Sequence, residues 1–199
     1  AGLSATIAAQ GSLDRSEGTA AHKIPLSRTH YSLAYIRERE ADAMWQIGVW
    51  ERDEGLAERV TALAQGMEEK ALVRACRHPA LLAGTPLDLL VVSPGATGWA
   101  GAGTLNCRTA LLPGGRSALT RLLPAGTVLS YGASSRNTLT LSSLDEGRAS
   151  VAVQREFVSL DGRPVERQEL ILPRDGSSPD LLLAQAGAAL LLGKLPEET

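Results

Sequence analysis

Leu87-Asp88-Leu89-Leu90-Val91-Val92 runs straight into Ser93-Pro94-Gly95-Ala96-Thr97-Gly98-Trp99-Ala100-Gly101-Ala102-Gly103, and this stretch decides the fold. The first six residues are a short apolar run between Gly84-Thr85-Pro86 and a glycine-rich loop. A strand that is apolar toward both sides of its pleat is covered on both faces, which is the habit of parallel strands. The pattern then recurs. Residues 104–112 form a second strand, closed by Pro113-Gly114-Gly115. Residues 117–123 fit a short helix, and residues 127–131 a third strand after Pro124-Ala125-Gly126. Strands separated by glycine-rich loops and short helices place the chain in the α/β class.

Toward the C-terminus the periodicity changes to two. Residues 138–141 alternate, turn near Asp145-Glu146-Gly147, and alternate again over 149–158. Asp161-Gly162 is a hairpin signal, with 165–172 as the return strand. The expectation is a three-stranded antiparallel meander joined to short parallel-type strands in one mixed sheet. The last element is a helix over 179–192. Ser178 caps it, Pro179 takes its first position, Asp180 faces its positive end, and Gly193 stops it. Apolar nearly all round, this helix belongs inside the fold.

Toward the N-terminus, residues 1–28 are rich in Ala, Gly, Ser and Thr and are expected as an arm or loop, with a short strand over 3–9. Residues 32–76 are expected to be helical. Leu33, Ile36, Ala43, Ile47 and Trp50 recur near helical spacing over 32–52. After Gly55, Leu56, Val60, Leu63, Met67 and Ala71 form a stripe on a second helix over 56–76. Tyr35, Trp45 and Trp50 lie along the first of these, as core or as a contact for a homodimer or protein partner. The whole of 1–199 is expected to be a single domain, its sheet within 87–193.

Composition excludes several functions. The formal net charge is -2 and the pI about 6.0, without the basic excess of a nucleic-acid binder. The longest apolar run, 181–192, is broken by Gln185 and Gly187, too short to span a membrane. No basic region followed by an apolar stretch opens the chain, so a cytoplasmic location is expected. Cys76 and Cys107 stand alone, with no Cys-x-x-Cys and no zinc spacing with the three histidines. They are expected as buried free thiols, with no metal site and no cofactor.

Two loops carry candidate chemistry. Gly95, Gly98, Gly101, Gly103 and Thr104 have the glycine spacing and hydroxyl of a phosphate loop, but the lysine before the hydroxyl is absent. Tyr131, Ser134, Ser135, Arg136 and Asn137 follow the third strand, where hydroxyls, a guanidinium and an amide could hold an anion. The same residue types also cap turns. Gly132-Ala133-Ser134-Ser135-Arg136 departs from the nucleophile elbow Gly-x-Ser-x-Gly. His22, His30 and His78 all lie in the N-terminal half.

From TALLPGG (109–115), through a short helix, to TVLSYG (127–132), alternating strands and an Ala/Leu-rich helix ending in Leu-Gly, residues 111–193 resemble the later half of the central domain of Mur ligases. The resemblance implies a nucleotide-type sheet. The family's Gly-Lys-Thr phosphate loop is missing, and Leu112-Pro113-Gly114-Gly115 replaces its Asn-Asp-Asp type sequence. ATP-driven ligation is therefore not implied, and no residue role carries over. The sum is a non-catalytic binding domain of degenerate nucleotide-fold type, holding a small anionic ligand, a nucleotide among the candidates, or a protein partner. The alternatives are a small transferase or hydrolase using Ser134, Ser135 and Arg136, and a structural protein assembled through the N-terminal helices.

Overall fold

The structure is a computed structural model and describes residues 44–52 and 55–194. The arm at 1–28, the strand at 3–9, Tyr35, His22, His30 and most of the first expected helix lie outside the described residues. In chain order the elements are β1 (Trp45–Trp50), α1 (Leu56–Gln65), β2 (Ala71–Cys76), β3 (Pro86–Val92), β4 (Asn106–Pro113), α2 (Ser117–Leu122) and β5 (Ala125–Tyr131). They continue with β6 (Leu139–Leu144), β7 (Arg148–Val153), β8 (Phe157–Val158), β9 (Pro164–Val165), β10 (Glu169–Pro173) and α3 (Pro179–Leu191). Short 3-10 helices occupy Pro79–Leu82 and Trp99–Thr104.

Eight strands form one sheet in the order β10-β7-β6-β5-β4-β3-β1-β2. From β2 to β6 every pairing is parallel; β7 and β10 add antiparallel pairings at one end. The protein is therefore α/β with a mostly parallel mixed sheet. Residues 149–158 and 165–172 are not two continuous partners. Each breaks, and β8 pairs with β9 in a separate two-stranded sheet, so Asp161-Gly162 turns that small hairpin rather than joining β7 to β10.

The N-terminal helical expectation is corrected at two places. Residues 45–50 are β1, in register with Ala71–Cys76 on one side and Leu89–Val92 on the other. Trp45, Ile47 and Val49 bury one face of β1, while Trp50 buries the other. A strand covered on both faces has no diagnostic period, which is how it passes for a helix. The helix expected over 56–76 ends at Gln65. Gly66 closes it, with its N–H on the Leu63 carbonyl at 3.2 Å, and 71–76 is the edge strand β2.

Both faces of the central strands are filled. On one face α1 and α3 pack over Ile47, Val49, Leu89, Val91, Leu111 and Leu129. On the other, the two 3-10 helices and α2 cover Trp50, Leu90, Val92, Ala110 and Leu112. Helix α3 lies close to the sheet because Gly187 has no side chain; a Cβ there would meet Leu111 Cδ2 at 2.8 Å and Leu139 Cδ1 at 3.0 Å. The expected cap is present, Ser178 Oγ accepting from Leu181 N at 3.3 Å. Among the described residues no helix is long and apolar enough to cross a membrane.

Candidate functional site at the carboxyl edge of the parallel strands

In an open sheet of parallel strands, ligands collect outside the carboxyl ends at the point where the strand order reverses. Here that point lies between β1 and β3. From β1 the chain crosses through α1 to β2 on one side; it then returns past β1 to β3, with Leu82 of the connection packed on the opposite face. The residues just past the strand ends are Glu51, Ser93-Pro94-Gly95, Gly114-Gly115-Arg116 and Gly132.

Ladder pairing runs one step beyond the strands. Ser93 N donates to the Trp50 carbonyl at 2.9 Å, and Glu51 N to the Cys76 carbonyl at 3.0 Å. Since Trp50 pairs with Val92, Glu51 and Ser93 fall side by side at the next step, on the face of Val49 and Val91. That is the α1 face, by the alternation of side chains along a strand. Glu51 Oε2 accepts from Ala57 N in the first turn of α1 at 3.1 Å. Ser93 is fully buried, and among the described residues its Oγ is the buried side-chain oxygen or nitrogen left without a hydrogen bond. An unsatisfied buried hydroxyl costs about 1–3 kcal/mol and asks for an explanation.

On the opposite face the edge is aromatic and basic. Trp99 packs on buried Trp50 with ring centroids 4.9 Å apart, and the Arg116 guanidinium lies 4.5 Å over the Trp99 ring. Arg116 Nη2 also donates to the Pro94 carbonyl at 2.9 Å, and Trp50 Nε1 to the Thr97 carbonyl at 3.0 Å. These contacts fasten the glycine-rich segment over the sheet end. Arg116 is solvent-exposed and has further N–H donors to offer a ligand.

The sequence-predicted residues divide. Gly95 sits at the edge beside Ser93. Gly98, with φ +90°, turns the chain into the 3-10 helix that holds Gly101, Gly103 and Thr104. That segment roofs the sheet through buried Ala102. Tyr131 is buried at the α1 and α3 face, its hydroxyl donating to the Val92 carbonyl at 2.6 Å. It thereby ties the end of β5 to the end of β3. Asn137 is also buried and packs into the space left by Gly114 and Gly132, where a Cβ on Gly132 would lie 3.1 Å from Asn137 Nδ2. Ser134, Ser135 and Arg136 are exposed in a turn, with Arg136 N donating to Ser134 Oγ at 3.3 Å and Asn137 N to the Ser134 carbonyl at 2.9 Å. His78 is exposed and lies beside Gly98.

Glu51, Ser93 and Arg116 were not singled out by the sequence. Ser93 carried a signal, as the first polar residue after a buried strand. Glu51 carried none once 32–52 was taken as a helix.

Burial pushes both thiols up to about 11, Cys107 by burial alone and Cys76 by burial first and then by the Glu51 carboxylate. Both stay protonated and free, as expected. Among the described residues no group of three or more His, Cys, Asp or Glu is placed to hold a metal ion.

Neither a family model nor a curated protein matches the chain.

Proposed function

We propose that the chain is a binding domain of degenerate nucleotide-fold type that holds a small anionic ligand at the β1/β3 edge. One observation carries the reading: the buried, unpartnered Ser93 hydroxyl stands at the switch point of a mostly parallel sheet. Arg116 on the adjoining rim supplies positive charge, and Gly95 lets a ligand approach the backbone. The likeness of 111–193 to the Mur ligase central domain belongs to the same proposal, as a sheet of that kind without its Gly-Lys-Thr loop. So does a cytoplasmic location.

Two observations favour a small ligand over a protein docked on the tryptophans. Trp45 is 4% exposed and Trp50 0%, so neither offers the apolar patch that a helical interface needs. The enzyme alternative uses Ser134, Ser135 and Arg136, which share one exposed turn where Ser134 Oγ accepts from Arg136 N.

The test is a thermal-shift panel of nucleotides, sugar nucleotides and smaller phosphates. A ligand at 100 times its Kd stabilises by about 2.7 kcal/mol, roughly 5–10 °C for a chain of this size. The expected result is a shift that Arg116→Ala removes and Arg136→Ala leaves intact. No shift across the panel would contradict the reading.

A further inference from the structure

We propose that Glu51 is a built-in occupant of an anion seat, closing to phosphate the place where sheets of this order hold it. A phosphate ordinarily sits outside the end of the first strand, on the N–H groups that open the following helix. Helix α1 opens after Gly55, a residue at φ +66° that offers no capping side chain. Its first-turn N–H at Ala57 points instead to Oε2 of Glu51, the residue after β1. The chain's own carboxylate thus lies where a ligand oxygen would lie. Glu58 in the first turn of α1 adds negative charge beside it.

The second mark of a seat is Ser93. Its hydroxyl lies at the same register step and on the same face as Glu51, fully buried and unpartnered. A tethered carboxylate satisfies the helix N–H but leaves this neighbour for a ligand to meet. A tetrahedral anion has enough oxygens to meet both. Glu51 is therefore a specificity-determining residue. It keeps phosphate off α1, so a ligand's charge is read at Arg116 on the other rim. This inference rests on taking the edge as the ligand site.

The experiment measures thermal midpoints in inorganic phosphate against chloride at matched ionic strength, for the wild type, Glu51→Ala and Glu51→Ala with Ser93→Ala. The wild type should respond to phosphate no more than to chloride. Glu51→Ala should start lower and rise by about 5 °C at saturating phosphate, and the double variant should lose that rise. A Glu51 carboxylate that merely caps the helix would give the lower start without the rise, which overturns the proposal. So would an equal rise in the wild type, or one that survives loss of Ser93. If Glu51→Ala does not fold, Glu51→Gln carries the test: it keeps a neutral oxygen for Ala57 N, and phosphate must stabilise it more than the wild type. An equal response overturns the inference. A ligand-panel response that needs Arg116, without a phosphate rise in the Glu51 variants, removes the Glu51 inference alone. A silent panel with that rise removes the ligand reading alone.

Discussion

Strands β1, β3 and β4 and strands β6, β7 and β10 belong to one sheet but are built on different terms. The first three bury apolar side chains toward both faces: Leu89 and Val91 under α1 and α3, Leu90 and Val92 under the 3-10 helices and α2. The second three bury their apolar side chains toward one face, and on the other face of β6 the buried residue is the polar Thr140. Leu139, Val151, Val153 and Leu172 join the α3 core, while Ser142, Ser143 and Ile171 on these strands are exposed. A strand held from both sides has its end fixed in space, and the Glu51, Ser93 and Gly95 edge grows from such ends. The antiparallel strands lengthen the sheet that α3 rests on. Toward the far ends of these strands the outer face is open to solvent and carries Ser142, Ser143 and Ile171.

The comparison breaks most easily in the core. Leu90→Ala should cost about 2–5 kcal/mol, since Leu90 is fully buried in the second core. Ile171→Ala, on the antiparallel end and 46% exposed, should stay within about 0.5 kcal/mol. Denaturant midpoints would measure both, and equal losses would refute the two-sided against one-sided account. Next in size is Gly187→Val, which drives a side chain into Leu111 and Leu139 and should cost about 1–3 kcal/mol by overpacking. Ser178→Ala should cost about 1 kcal/mol by losing the cap that starts α3 at the same sheet.

The remaining effects are in pH. Cys76 and Cys107 have folded pKa values near 11 against an ordinary 9.0, so the folded state holds their protons longer than the unfolded state. Their contribution is whole below pH 9 and fades as pH rises toward 11. Denaturation at pH 8 and pH 10.5 should show that loss, and Cys107→Ala should reduce it. Asp175 works in the other direction. The Ser177 hydroxyl beside it holds its carboxyl below the usual range, with Arg59 assisting, so its contribution is lost as pH falls through the acid range.

The same contrast explains what the sequence made legible. Residues 87–92 and 179–191 announced themselves, one by an apolar run between turn signals, the other by a serine cap, a proline and all-round apolarity. Trp45–Trp50 is equally well buried but lacks those boundaries, and a two-sided strand has no period of its own. Ala71–Cys76 was absorbed into the preceding helix because Met67 and Ala71 continue the stripe of Leu56, Val60 and Leu63. The break at Gly66 was the evidence against it. At the site, glycine spacing drew attention to 98–104, which turned out to be a roof. Ser93 and Glu51 come together only through the pairing of β1 with β3, a contact between distant segments that no local motif encodes. Arg116, likewise, gains its meaning from Trp99 and Pro94.

The measurement closest to the central claim is Ser93→Ala, read as unliganded stability together with the ligand-panel response. A hydroxyl kept for a ligand is a burden to the empty protein. Removing it should raise stability by about 1 kcal/mol while weakening the ligand shift. A loss of stability with the ligand shift unchanged would contradict the account, because Ser93 would then serve the fold and not the site.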